Sequence, residues 1–197
     1  ASEIWKGSAF NRPTHAAVSK KSGDIFITDG YGNFRVHKYS SEGDHIKSWG
    51  EPGINPGQFL RPHNIAVDDD DRVIVADREA HRVQVFDTEG KVLQVWNNIF
   101  MPNGLTIGPD NNIYIGELPG MIDVDPTPPN HGHNISIISP SGEKLARIGH
   151  PEEGEVPGKF IAPHGIGVDS HGDIYVGEVS YTIRGSKMNP PQELRSL

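Results

Sequence analysis

His63 and His164 each stand directly after a proline and directly before a short apolar stretch, in Pro62-His63-Asn64-Ile65-Ala66-Val67 and Pro163-His164-Gly165-Ile166-Gly167-Val168. Neutral imidazoles are the usual protein ligands of zinc, and a catalytic zinc keeps three protein ligands and one open position. A single Pro-His reads most simply as a turn carrying a solvated imidazole, whereas two in one register favour a metal site. Tyr31, in Asp29-Gly30-Tyr31-Gly32-Asn33-Phe34-Arg35, and Arg78, in Asp77-Arg78-Glu79, form a second pair of interest. A phenol beside a cation and a metal ionises more readily and can serve as a base. An arginine held by neighbouring acids offers a planar fork to a substrate carboxylate. Asp-Gly and Asp-Arg corners also hold strands together in repeat proteins, which is the structural alternative for both.

Other polar groups carry less. His131-Gly132-His133 closes a Pro-rich insertion from Leu118 to Asn130. An H-x-H pair can bind metal, and it reads equally as two surface histidines on a loop. Long insertions in compact domains tend to be functional, so this one is a candidate lid or partner-binding loop. Asp68 to Asp71 and Asp123/Asp125 lack the twelve-residue pattern of a calcium loop and read as solvated turns. There is no G-x-S-x-G elbow, no Walker loop and no dinucleotide fingerprint.

The elements that must position these side chains come from an internal repeat. Four segments begin with proline and run into a small apolar strand, at Pro13, Pro62, Pro102 and Pro163. Each continues through a polar turn into a second strand, Asp24–Ile27, Arg72–Val75, Asn112–Ile115 and Asp173–Val176, and then reaches an acid. The interval is 15 residues from Pro62 to Asp77, Pro102 to Glu117 and Pro163 to Glu178, and 16 from Pro13 to Asp29. The first three copies add two more strands around turns with glycine third, Ser41-Glu42-Gly43-Asp44, Thr88-Glu89-Gly90-Lys91 and Pro140-Ser141-Gly142-Glu143. Four antiparallel strands in roughly 40 to 60 residues is the blade of a β-propeller. A sandwich would not predict so regular a repeat.

The expectation is therefore an all-β chain, one propeller domain over residues 1–197, with blades at about 13–50, 62–97, 102–149 and 163–197. The fourth copy stops after its second strand. Residues 1–12, whose Ile4-Trp5-Lys6-Gly7 echoes Lys47-Ser48-Trp49-Gly50, read as the outer strand of a preceding or closing blade. In a propeller the first-strand positions line the central channel, so His63 and His164 are expected to converge although 101 residues separate them.

Composition narrows the function. The chain has 197 residues, enough for a sizeable core, with Gly 23 and Pro 16 supplying many turns. A net charge of -8 with no concentrated basic field argues against nucleic acid. No apolar run is long enough to cross a bilayer, and the absence of cysteine excludes disulfides and thiolate metal sites.

The repeats resemble NHL repeats, and in detail they resemble the peptidyl-α-hydroxyglycine α-amidating lyase branch of that superfamily. The most specific stretches are Thr28 to Arg35, Gly57-Gln58-Phe59 through Pro62-His63, and Val75 to Glu79 through Arg82-Val83-Gln84-Val85-Phe86. The resemblance implies a six-bladed propeller, of which about four blades are present here or to which this chain is a shortened relative. It implies a zinc held by three histidines in the channel, a structural calcium nearby, and cleavage of peptidyl-α-hydroxyglycine to a peptide amide and glyoxylate. By resemblance, His63 and His164 are two of the zinc ligands, Tyr31 is the catalytic tyrosine, and Arg78 stabilises its anion. The family's third zinc histidine and a substrate-binding arginine have no counterpart between Ala1 and Leu197, and Gly165 stands where the calcium aspartate would follow the last histidine.

Two functions are thus expected. The first is a zinc-dependent carbon–nitrogen lyase acting on a small-molecule or peptide substrate, with zinc the first cofactor and calcium the second. The alternative is a non-catalytic NHL propeller that binds a ligand or protein, and a propeller lactonase lacks a matching acidic metal set. Open blade edges imply self-association, and the branch resembled is often exported, implying a secreted or periplasmic setting.

Overall fold

The structure is a computed structural model that describes residues 10–120 and 131–194. Ile4-Trp5-Lys6-Gly7 and Asp123/Asp125, with most of the Leu118 to Asn130 insertion, lie outside the described residues. The chain divides into two compact units, Ala1–Asn98 and Ile99–Leu197.

The first unit holds two four-stranded antiparallel sheets. One is β1 (His15–Val18), β2 (Ile25–Asp29), β3 (Arg35–Tyr39) and β4 (His45–Trp49); the other is β5 (Pro62–Val67), β6 (Val73–Asp77), β7 (Arg82–Phe86) and β8 (Val92–Trp96). Each sheet runs in sequence order, because connections of four to six residues allow only neighbouring strands to pair. Strands β6 and β7 are buried at every residue, which explains why Val73-Ile74-Val75-Ala76 is continuously apolar and does not alternate. The core between these sheets is Phe26, Val36, Phe59, Ile65, Val67, Val73, Val75 and Phe86.

Phe59 reaches this core from a loop, and the residues around it show how. Gly57 N–H donates to Gln84 Oε1 at 2.9 Å, while Gln58 C=O accepts from Gln84 Nε2 at 2.8 Å and from Arg82 Nη2 at 2.7 Å. Alternate residues of β7 therefore clamp the Gly57-Gln58-Phe59 segment, so its ring packs against Phe86 at 5.7 Å.

The second unit holds a four-stranded sheet, β9 (Pro102–Ile107), β10 (Ile113–Glu117), β11 (Asn134–Ile138) and β12 (Lys144–Ile148), and a two-stranded sheet, β13 (Pro163–Val168) and β14 (Ile174–Glu178). After β14 the chain turns into a short helix, α1 (Ser180–Ile183). The sheets are NHL-type β-propeller blades, three complete and one of two strands. No described helix is long and apolar enough to cross a membrane.

The acid that recurs after each second strand has one structural task in all four copies. Asp29 accepts from Asn11 N–H at 2.9 Å, and Asp77 from Leu60 and Arg61 N–H at 3.0 and 2.8 Å. Glu117 accepts from Phe100 N–H at 3.0 Å, and Glu178 from Ile161 and Ala162 N–H, both at 2.6 Å. Each carboxylate ties down the peptide leading into its own first strand, whose amides would otherwise be buried without acceptors.

Asp68 behaves as the solvated-turn reading expects: its carboxylate accepts from the N–H groups of Asp70 and Arg72 and pairs with the Arg72 guanidinium at 2.7 Å. His133 departs from the surface-loop reading. It is 6% exposed, and its Nδ1 lies 2.7 Å from Ile161 C=O, because the left-handed turn at Gly132 directs it inward against the Phe160–Ala162 segment. His131 remains exposed, with its ring 5.2 Å from Phe100.

Candidate functional site

Three local features of the first unit bring chemistry to one place. The first is a β-bulge at the start of β5. Pro62 pairs with Asp77 and Asn64 with Ala76, so His63 is the extra residue on its strand. A bulge re-aims a side chain that ordinary alternation would commit to one face. The strand consequently begins at Pro62, two residues before the apolar run suggests. In the second unit Pro163 pairs with Glu178 and Gly165 with Gly177, which makes His164 the bulged residue of β13. The two histidines thus share a register position, each within its own unit.

The second feature is the close approach of the β2–β3 turn to β5. A Cβ on Gly30 would lie 2.0 Å from the carbonyl oxygen of Pro62, so only glycine lets this backbone come so near. Thr14 Oγ1 donates to the same carbonyl at 3.0 Å and fixes the two sheets at this corner. Tyr31, the next residue, is thereby set beside His63.

The third is the 3₁₀ turn Arg78–Ala80 that follows β6. Arg78 N–H donates to Arg61 C=O at 2.9 Å, while Asp77 holds Arg61 N–H. This corner turns the Arg78 side chain back under Tyr31.

The result is a cluster. Tyr31 Oη lies 3.1 Å from His63 Nε2, and Arg78 Nη1 reaches the same oxygen at 3.5 Å. The tyrosine and imidazole rings meet edge to face at 5.7 Å. Arg61 and Arg78 place their guanidinium carbons 5.0 and 5.7 Å from the Tyr31 ring centre. Glu79 Oε1 accepts from Arg78 Nη2 at 2.9 Å and pairs with Arg61 Nη1 at 3.1 Å. His63 and Arg78 are buried, at 6% and 4% exposure, while Tyr31 is 38% exposed. The Tyr31 hydroxyl, on a half-exposed residue, therefore stands against a buried imidazole, with the guanidinium groups of Arg61 and Arg78 close to its ring. Such surroundings favour negative charge developing on that oxygen during proton transfer.

Tyr31, His63 and Arg78 were all singled out by the sequence, and they stand together. Arg61 and Glu79 were not assigned a role. Arg61 has no counterpart beyond Arg12, since Met101 and Ala162 precede the other two prolines. A repeat-based reading passes over such a residue.

Zinc can be tested against this donor set. Among the described residues no group of three or more His, Cys, Asp or Glu side chains could hold a metal ion. His63 turns its Nε2 to a phenol. These residues do not by themselves make the three-histidine centre that the resemblance implies.

Residues 10–39 and 59–86 match the NHL repeat model. The chain carries NHL repeats. Tyr31 lies in the first matched segment and His63 and Arg78 in the second, so the cluster joins two NHL repeats. The sequence resemblance is borne out by the relatives. The peptidylglycine alpha-amidating monooxygenase of Rattus norvegicus is 31% identical over 180 residues, 86% of this chain and 17% of that protein. The peptidyl-alpha-hydroxyglycine alpha-amidating lyase 1 of Drosophila melanogaster is 29% identical over 191 residues, 88% of this chain and 34% of the relative. The NHL repeat-containing protein 3 of Homo sapiens is 37% identical over 112 residues, 54% of this chain and 32% of the relative. The NHL chain thus spans about a third or less of each. Among solved structures, streptogramin B lyase superposes with a TM-score of 0.64 at 20% identity, covering 86% of this chain and 49% of that one, a likeness of fold.

Two expected outcomes follow from these NHL blades. Gly30→Ala should push the β2–β3 turn off Pro62 and displace Tyr31 from His63. Where Tyr31 acts in turnover, a displacement near 1 Å lowers the rate by about a hundredfold, a larger effect than on thermal stability. Wild-type turnover in Gly30→Ala would contradict the placement of Tyr31.

The second outcome concerns His37, whose Nδ1 lies 2.7 Å from Ser48 Oγ and whose Nε2 lies 3.3 Å from Asp29. Burial pushes this imidazole below its usual value of 6.5, against the opposing pull of Asp29. The unfolded chain takes up a proton near 6.5 that the folded chain resists. Stability from this group is therefore complete above about 6.5 and is lost as pH falls below it. Urea melts at pH 7.5 and 5.5 check this, and His37→Gln should reduce the difference.

Proposed function

We propose that this chain carries the tyrosine half of a carbon–nitrogen lyase site of the peptidyl-α-hydroxyglycine amidating type. The observation that supports it is the Tyr31 hydroxyl, 3.1 Å from His63 Nε2 and 3.5 Å from Arg78 Nη1. Relatives named as amidating lyases support the reaction class.

The chemistry asked of these residues is a proton transfer coupled to bond cleavage. The substrate carbon bears a hydroxyl, an amide nitrogen and a carboxylate. Tyr31 oxygen, as the anion, takes the hydroxyl proton, and the freed electron pair forms the new carbonyl. The C–N pair leaves on the amide nitrogen, which gains a proton, so a primary amide and glyoxylate are formed without an oxidant. Arg78 offsets the negative charge on the phenol oxygen before and after the transfer, and His63 orients the phenol and shares its proton.

The metal half of the proposal rests on the shared bulge position of His63 and His164, with zinc first and calcium second, and no step is derived from it. It is tested by the metal content of the purified protein and of a His63→Ala, His164→Ala double variant. Equal metal in both would remove these imidazoles as ligands.

The experiment for the function is product identification from α-hydroxyhippurate. Equimolar benzamide and glyoxylate are expected. Unchanged substrate, with ligand binding retained, would instead fit a non-catalytic NHL propeller.

A further inference from the structure

We propose a second catalytic centre in the first blade, in which Ser48 is the nucleophile and His37 the base for hydrolysis of a small carboxylic ester. It is independent of the lyase reading above.

The geometry comes from strand register. His37 on β3 stands directly opposite Ser48 on β4, so their side chains share one face of the sheet. His37 Nδ1 lies 2.7 Å from Ser48 Oγ, and its Nε2 lies 3.3 Å from Asp29 Oδ2 at the end of β2. Asp29 and His37 are buried, and Ser48 is half-buried. The carboxylate is itself held by Asn11 N–H at 2.9 Å and Asn33 Nδ2 at 2.6 Å. The Phe10 ring lies edge-on to the imidazole at 5.3 Å. A carboxylate only accepts, so Nε2 carries the imidazole proton and Nδ1 is left bare towards the hydroxyl. His45, an exposed residue, brings its Nε2 to 2.8 Å from the same oxygen.

The fold does not need this pair. At the same register the second blade has Gln84 opposite Val95, and the third has Ser136 opposite Arg147. Asp77 and Glu117 still tie down their backbone amides there. Only the first of these blades sets an imidazole between the recurring acid and a hydroxyl.

Ser48 also lines a cleft of about 490 Å³ with Arg35, Trp49, Glu51, Asn55 and Gln58. That volume takes a small ligand, and the mainly polar wall suits a short acyl group rather than a long chain. Arg35 and Asn55 bring N–H donors of the kind an acyl oxygen needs as it gains charge.

In the reaction Ser48 Oγ bonds to the acyl carbon and passes its proton to His37 Nδ1. The carbonyl pair moves onto oxygen and returns as the bond to the alcohol breaks, and His37 protonates the departing alcohol. Water then attacks the acyl-Ser48 ester through the same base, which frees the carboxylic acid and restores the serine. Asp29 acts through His37 and is a positioning residue.

The test treats the full chain with an alkyl fluorophosphonate, locates the adduct by peptide mass spectrometry, and follows 4-nitrophenyl acetate hydrolysis alongside. A single adduct on Ser48, with loss of fluoride, is expected, together with ester turnover that Ser48→Ala abolishes. His37→Gln, which installs the side chain of the second blade, should slow labelling about a hundredfold, and His45→Gln should slow it less. Asp29→Asn should also slow labelling, and Asp29→Glu, the acid of the third and fourth blades, should restore most of it. Circular dichroism should show every variant folded. No adduct, an adduct on another residue, or wild-type labelling in His37→Gln would overturn the assignment. So would ester hydrolysis no faster than in Ser48→Ala, or labelling that depends on His45 more than on His37.

Discussion

Tyr31→Phe is expected to lower glyoxylate release from α-hydroxyhippurate by about a hundred- to ten-thousandfold, with the thermal midpoint nearly unchanged. The substitution removes one oxygen and keeps the ring, so the edge contact with His63 and the guanidinium groups near the ring remain. What disappears is the atom that lies 3.1 Å from His63 and 3.5 Å from Arg78. Because Tyr31 is 38% exposed, loss of its hydroxyl leaves no large cavity, and stability is a poor reporter of its role. Steady-state rates, followed by glyoxylate detection, are the right measurement. Undiminished turnover would remove the phenol from the chemistry.

The second large effect is on stability. Asp77→Ala should cost about 3–5 kcal/mol in urea denaturation, because it strips a buried guanidinium of its counter-charge. Asp77 Oδ2 accepts from Arg82 Nε at 3.0 Å, and both side chains are almost wholly buried. Burial pushes the Asp77 carboxyl up, while the Arg61 and Leu60 N–H groups and Arg82 pull it down. Removing it orphans three donors at once, including the amide that fixes Arg61. Arg82 also holds Gln58 C=O, so the loop that delivers Phe59 to the core loosens too. A loss under about 1 kcal/mol would show that the corner is held by other contacts.

How much of this was legible follows from what a repeat can and cannot encode. The Pro-to-acid interval marks each pair of first strands, and it located His63 and His164 because a bulge occupies the same place in both sheets. Tyr31 and Arg78 were legible as corner residues, although 47 positions separate them, because the repeat aligns the ends of β2 and β6. The recurring acid was visible, but its partners are backbone amides, which leave no trace in side-chain type. Arg61 and Glu79 remained silent for another reason. Their pairing depends on the path of two turns around Asp77, which no periodicity records. His133 misled because its inward turn rests on the left-handed geometry at Gly132, at φ 72°, and on a carbonyl 28 residues later.

The measurement that bears most directly on the Tyr31–Arg78 unit is a double-variant series for glyoxylate release, comparing the wild-type chain with Tyr31→Phe, Arg78→Gln and the pair combined. Groups that act on one proton transfer are strongly non-additive. Wild-type protein should release glyoxylate, each single variant should lose most of that rate, and the double variant should be little worse than Tyr31→Phe alone. Losses that simply multiply, or a wild-type chain that releases no glyoxylate, would contradict a catalytic unit at this corner.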